Sequence, residues 1–124
     1  MKSRDAQIRM KRFQIEDRKR QVGQIETMIE EFGRMVGDLD IEIAAEHRRT
    51  GIEDEKHFAY STFARAARQR RSNLQRSIAD LGEQLDGAKA QLDLALAELA
   101  REQEKLDREI ASDPGRMASD RAVG

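Results

Sequence analysis

Apolar residues recur at heptad spacing over a first long stretch of the chain. A β-branched residue occupies every seventh position from Ile8 onward, and a second apolar residue follows the later ones by three positions. These residues are Ile8, Ile15, Val22, Ile29, Val36 and Ile43, followed by Ile25, Phe32 and Leu39. Such a and d positions are typical of paired helices in a coiled coil. We therefore predict a helix from about residue 3 to about residue 48.

The early d positions of this first helix are polar. Lys11 and Arg18 stand where apolar residues occur later in the pattern. Because a charged side chain at the interface weakens the pairing of two helices, we expect fraying or partner binding near the N-terminus.

A second heptad pattern, with larger and smaller residues in alternation, follows Tyr60. Its a positions are Ile78, Leu85, Leu92, Leu99 and Leu106, and its d positions are Ala67, Leu74, Leu81, Ala88 and Ala95. Alternating leucine and alanine lets two helices approach closely. We predict a helix from about residue 61 to about residue 111, where proline and glycine in the sequence SDPG end it. Residues 112–124 are predicted to form a flexible tail.

The heptad pattern lapses in RRTGIEDEKHFAYST, between the two predicted helices. Gly51 can adopt a positive φ there, and Ser61 or Thr62 can cap the next helix. The chain is predicted to turn back over residues 49–60; a short helical turn beginning at Asp54 is an alternative. The predicted fold class is all-α, a long antiparallel two-helix coiled-coil hairpin spanning residues 1–111.

The charge pattern supports this hairpin. If the chain turns near Asp54, basic residues of the first helix lie beside acidic residues of the second, and further along the signs are reversed. The first set is Lys11, Arg12, Arg18, Lys19 and Arg20 beside Asp86, Asp93, Glu98 and Glu102; the second is Glu30, Glu31, Asp38, Asp40, Glu42 and Glu46 beside Arg65, Arg68, Arg70, Arg71 and Arg76. A parallel self-dimer would place each run against its own copy, so an intramolecular hairpin is favoured.

Composition limits the functional classes. Charged residues make up 38% of the chain and aromatic residues 4%, and there is no cysteine. Disulfides and thiolate metal sites are therefore excluded. Without an apolar run long enough to cross a membrane or a secretory signal, we expect a cytoplasmic protein. No phosphate-binding loop or catalytic motif occurs, so we predict neither enzymatic activity nor a cofactor. His47 and His57 lack zinc-ligand spacing and are predicted to be exposed polar residues, with no metal bound.

Three aromatic residues, Phe58, Tyr60 and Phe63, cluster in the predicted turn. A two-helix tip can hardly bury three rings. Either they form a local cap over the end of the coiled coil, or one or more of them anchors a partner protein.

Three segments of the chain, in the same order, resemble FliJ, a family of flagellar export proteins. They are MKSRDAQIRMKRFQIEDRKRQVGQIETMIEEF, DLDIEIAAEHRRTGI and HFAYSTFARAARQRRSNL. KSRD at the start and HFAY after the turn are more specific than a heptad pattern. The resemblance covers roughly residues 1 to 105, and the chain is shorter at its C-terminus than many members.

The resemblance implies a stalk-like antiparallel coiled coil of the flagellar type III export apparatus, peripheral to the inner membrane. Such proteins bind the ring of the export ATPase FliI, contact the export gate protein FlhA and associate with export chaperones. On that basis Arg4, Arg9, Lys11 and Arg12 would contact the ring. Phe58, Tyr60 and Phe63 would face the gate.

Two other functions fit the same fold. One is an adaptor or prefoldin-like chaperone hairpin unrelated to flagella. The other is a small nucleic-acid-binding hairpin that uses the basic runs. The charge pattern described above places each basic run beside acidic residues of the other helix. We therefore expect the basic faces to pair with acidic residues of the other helix, and predict no nucleic-acid partner.

Overall fold

The structure, a computed structural model, describes residues 2–112. Helix α1 spans Lys2–Thr50 and helix α2 spans Thr62–Ser112. The described residues contain no strand, and extensive contacts between α1 and α2 form a helical hairpin. The predicted all-α hairpin is therefore confirmed, with helix bounds one or two residues from those predicted. Ser112, predicted to begin the tail, ends α2, and the rest of the predicted flexible tail lies outside the described residues.

The hairpin comprises two compact units, each containing part of α1 and part of α2. Of the described residues, 2–22 and 87–112 belong to the terminal unit, and Gly23–Asp86 form the connector unit. In the terminal unit Arg4 pairs with Glu102, whereas Lys11 pairs with the earlier residue Glu98. This reversed order shows that the two helices run antiparallel there.

In the connector unit, too, the helices run antiparallel. Asp40 pairs with Arg71, whereas Glu46, later in α1, accepts a hydrogen bond from Ser61, just before α2. The apolar core of this unit includes a cluster of Leu39, Ile43 and Ala67, with Leu74 packed against it.

Every apolar heptad position named from the sequence is buried or half-buried. Ile8 and Ile15 are the buried members in the terminal unit. Lys11 and Arg18, the two polar d positions, are half-buried, as their place in the pattern requires. The heptad register predicted from the sequence is thus the register of the helix interface.

Local hydrogen bonds end α1. Gly51 has a φ of 72° and donates its N–H to the His47 carbonyl at 2.8 Å. This is the left-handed C-cap that glycine adopts without steric cost. The Thr50 hydroxyl accepts a further hydrogen bond from the Ile52 N–H at 3.2 Å.

Ser61 caps α2. Its hydroxyl accepts the Ala64 N–H at 3.1 Å, so it satisfies one of the donors that the first helical turn leaves unpaired. Of the two candidates, Ser61 is the cap and Thr62 begins the helix.

The connector, residues 51–61 between the two helices, forms turns rather than a helix. The Asp54 carbonyl accepts the His57 N–H at 3.1 Å, and the His57 carbonyl accepts the Tyr60 N–H at 3.0 Å. The Asp54 carboxylate also accepts the Lys56 N–H at 2.9 Å. A hydrogen-bonded turn thus begins at Asp54, as the alternative predicted, but residues 51–61 contain no helix.

Substitution of Ile43 by alanine should destabilise the protein, whereas Ile41→Ala should not. Ile43 is 4% exposed and Ile41 68% exposed on the same helix. We expect Ile43→Ala to lower the free energy of unfolding by about 2 to 4 kcal/mol, because it leaves a cavity in the core. Ile41→Ala should change it by less than about 0.5 kcal/mol. Urea unfolding followed by circular dichroism measures both, and equal effects would contradict the assigned interface.

Candidate partner-binding surfaces

Tyr60 closes the apolar interface at the connector. Its side chain is 5% exposed, and its hydroxyl lies 2.8 Å from His47 Nε2. The Arg65 guanidinium lies 5.3 Å from the centre of the Tyr60 ring, within the range of a cation–π contact. Tyr60 therefore joins the last turn of α1 to the first turns of α2.

Phe58 projects from the connector into solvent. It is 96% exposed, and its one ring contact among residues 2–112 is stacking on the neighbouring His57 ring, with centroids 4.8 Å apart. His57 is held by a hydrogen bond from the Ala59 N–H to its Nδ1 at 2.9 Å. The apolar ring is thus displayed by a hydrogen-bonded turn.

Phe63 provides a second exposed ring, on the first turn of α2. It is 55% exposed and borders a small cleft of about 170 Å³. The other lining residues are Leu39, Glu42, Ala66, Ala67 and Arg70. Phe63 thereby extends the apolar surface outward from the edge of the helix interface.

The structure separates the three aromatic residues that the sequence grouped together. Tyr60 acts as the cap, and its burial argues against the direct partner contact suggested for it. Phe58 and Phe63 are accessible, so partner contact through these two rings stays a prediction. The cap interpretation therefore holds for Tyr60, and the partner interpretation is left to Phe58 and Phe63.

Glu46 links the two ends of the connector. Its carboxylate accepts hydrogen bonds from the Arg49 guanidinium and, at 3.1 Å, from the Ser61 hydroxyl. The hydrogen bond from Arg49, and then that from Ser61, hold the pKa of Glu46 below its ordinary value. No residue pattern in the sequence indicates this link, because it depends on the conformation of the intervening chain.

In the terminal unit, the four basic residues suggested for partner contact differ in accessibility. Arg4 is half-buried and pairs with Glu102 at 2.6 Å and Glu109 at 2.8 Å. Its hydrogen bond to Glu109, with the charges of both carboxylates, raises the pKa of Arg4. Lys11 is also half-buried and lies 3.1 Å from Glu98.

The other two basic residues are exposed. Arg12 donates a hydrogen bond to Gln103 at 3.1 Å, and Arg9 forms no ion pair within residues 2–112. Arg4 and Lys11 therefore stabilise the pairing of the helices, while Arg9 and Arg12 present their charge to solvent.

Sequence reasoning missed two exposed apolar residues beside this basic run. Met10 and Phe13 project from α1 and border shallow clefts of about 300 and 370 Å³. Counted from Ile8, they fall at c and f, positions that face away from a coiled-coil partner. An apolar residue at an outward-facing heptad position is the sequence feature from which the exposure of Met10 and Phe13 could have been predicted.

The two histidines differ in burial: His57 is exposed, as predicted, whereas His47 is half-buried rather than exposed. His47 contacts Tyr60 and His57 contacts Phe58. Within residues 2–112 no three histidine, aspartate or glutamate side chains are grouped so as to hold a metal ion. No helix in the same range is both long and apolar enough to span a bilayer.

Comparison of the chain with family models, with curated proteins and with solved structures finds no match in any of the three. The resemblance to FliJ therefore depends on the sequence segments quoted above and stays a prediction.

Removing the Tyr60 hydroxyl should destabilise the connector. We expect Tyr60→Phe to lower the free energy of unfolding by about 1 kcal/mol, because His47 loses its hydrogen-bond partner. Phe58→Ala should change it by less than about 0.5 kcal/mol, since the Phe58 ring is exposed. Thermal and urea unfolding measure both variants. A larger loss for Phe58→Ala would contradict the division of roles.

Glu46 should contribute stability that is lost in acid. Because its folded pKa is lowered, the contribution is present above its ordinary value of 4.5 and disappears as pH falls through the folded pKa. Wild type should be more stable than Glu46→Gln at neutral pH, and the difference should shrink below about pH 4.5. Urea unfolding across this range tests it, with Glu53→Gln as the control for loss of one charge. A difference that stays constant with pH would contradict the assignment.

Proposed function

We propose that the protein is a non-enzymatic component of the bacterial flagellar type III export apparatus. In this role the hairpin acts as a stalk-like element that binds the ring of the export ATPase FliI and the export gate protein FlhA, and it associates with export chaperones. It works in the cytoplasm, peripheral to the inner membrane. The three sequence segments resembling FliJ support this identity, and the helical hairpin is the fold that the resemblance implies.

The exposed ring of Phe58 carries the binding part of the proposal. Exposing nearly a whole phenylalanine side chain to water is unfavourable, and buried aromatic anchors supply much of the energy in protein interfaces. The turns of the connector already order the main chain on either side of Phe58, so less main-chain entropy is lost when a partner covers the ring. Phe63 adds a second apolar contact nearby, and we assign both rings to the gate.

In the terminal unit we assign contact with the ATPase ring chiefly to Arg9 and Arg12. Both are exposed, whereas Arg4 and Lys11 are engaged by carboxylates of α2. Removing Arg4 or Lys11 would disturb helix pairing as well as any contact. The two exposed arginines therefore give the cleaner test of binding.

The proposal predicts that the tagged protein retains the export ATPase or the gate protein from a lysate of a flagellated host. Mass spectrometry identifies what is retained. The double variant Phe58→Ala/Phe63→Ala should lose most of the gate protein, because each buried aromatic anchor contributes about 2 kcal/mol or more to an interface. Arg9→Gln/Arg12→Gln should reduce retention of the ATPase.

Ile41→Ala is the matched control for the aromatic pair, since Ile41 is exposed in the same unit but lies on a helix away from the connector. It should retain both partners as wild type does. Recovery of neither partner from cells that are making flagella would contradict the proposal and favour an adaptor unrelated to export. Equal losses from the aromatic and Ile41 variants would contradict the assignment of the rings.

A further inference from the structure

A cleft rich in arginine opens beside the connector. It has a volume of about 500 Å³, comparable to pockets that bind small ligands or short peptide segments. Its lining residues are Glu55, Arg65, Arg68, Gln69, Arg71, Ser72 and Gln75. Three guanidinium groups and one carboxylate give the lining a net charge of +2, and the remaining lining side chains are polar. The cleft is therefore suited to an anionic ligand with several oxygen acceptors.

Glu55 already occupies part of this cleft from the connector side. Its carboxylate pairs with the Arg68 guanidinium, and its main-chain carbonyl accepts a hydrogen bond from Arg65 at 3.1 Å. The carboxylate and the main-chain carbonyl of Glu55 thus each contact an arginine. An acidic residue of a bound peptide could make the same two contacts. Half of the Glu55 side chain remains exposed, so the contact is open to exchange with solvent or a competitor.

The other lining residues leave binding capacity unused. Within residues 2–112 the side chains of Ser72 and Gln75, both exposed, form no side-chain hydrogen bond. Arg71 pairs with Asp40 at 2.7 Å through one nitrogen, which leaves other donors of its guanidinium available. A ligand entering beside Glu55 would meet this row of unused donors.

We propose that this cleft binds an acidic segment of a partner protein, and that Glu55 is an internal occupant which the partner's carboxylate replaces. The exchange conserves ion pairing, because one carboxylate leaves Arg68 as another arrives. The site is distinct from Phe58 and from the basic residues of the terminal unit. The proposal therefore stands whether or not the partners are export proteins.

A peptide fits the cleft better than a nucleic acid does. The group that occupies it is a peptide carboxylate together with its own carbonyl, and the lining includes no aromatic residue on which a base could stack.

Fluorescence anisotropy with a labelled hexaglutamate peptide tests the proposal on the full chain at low salt. We expect saturable binding that weakens as salt is added. Glu55→Gln should tighten binding about two- to fivefold, since it removes the internal competitor at the strength of an exposed ion pair. Arg68→Gln should weaken it about tenfold through loss of a charged hydrogen-bond donor.

Arg70→Gln is the matched control. Arg70 precedes Arg71 on the same helix, carries the same charge and lines the Phe63 cleft instead. The Arg70 variant should bind the peptide within about twofold of wild type, the size expected for an exposed charge outside the site. Circular dichroism of each variant checks that the hairpin stays folded. Arg68→Lys adds a second measure, because it keeps the charge and loses the planar fork, and should recover only part of the affinity.

Three outcomes would overturn the proposal. Equal weakening by Arg68→Gln and Arg70→Gln would show diffuse attraction without a site. Absence of binding by both wild type and Glu55→Gln would show that the arginines serve only to hold the connector. Tighter, Arg68-dependent binding of a single-stranded oligonucleotide with the same number of charges would identify a nucleic-acid site instead.

Discussion

Two paired helices share only one interface in which to bury apolar side chains, and the rest of this structure depends on that constraint. Each residue at an a or d position, which together form the seam between the helices, packs against one partner helix rather than against neighbours on all sides. Few of these residues therefore lose contact with solvent completely. Stability must then come from many partly buried contacts in one register. The heptad pattern sets that register, and ion pairs such as Lys11–Glu98 and Arg71–Asp40 disfavour other registers, in which these charges would lose their partners. The caps at Gly51 and Ser61 fix where the chain reverses.

The same constraint explains what could be predicted from the sequence. A repeat read directly along the chain determines which residues face the partner helix, so the helices and their interface were predictable. The burial of Tyr60 was also readable, because Tyr60 lies one heptad before the d residue Ala67. The individual partners of Arg4 and Arg68 could not be predicted, since a long arginine side chain beside the helix interface has several carboxylates within reach. The link from Glu46 to Ser61 required the connector conformation itself.

A thin core also leaves much of the surface available for binding. Phe58 and Phe63 are exposed because the interface ends at Tyr60 and offers no further space for rings. Of the arginines in the neighbouring cleft, Arg65 is exposed, whereas Arg68 and Arg71 are half-buried and paired with carboxylates. Apolar and cationic surfaces consequently adjoin within a few turns of helix, an arrangement suited to partners that combine an apolar anchor with acidic residues.

The hydrogen bonds around the connector have a consequence for the kinetics of folding. His47 and Tyr60 are 13 residues apart, and Glu46 and Ser61 are 15 apart, so closing these contacts restricts only a short loop. The Arg4 contacts in the terminal unit span 98 and 105 residues and carry a greater closure cost when formed first. Folding should therefore nucleate at the connector and proceed along the helix interface. The long-range pairs then form with a small further loss of loop-closure entropy.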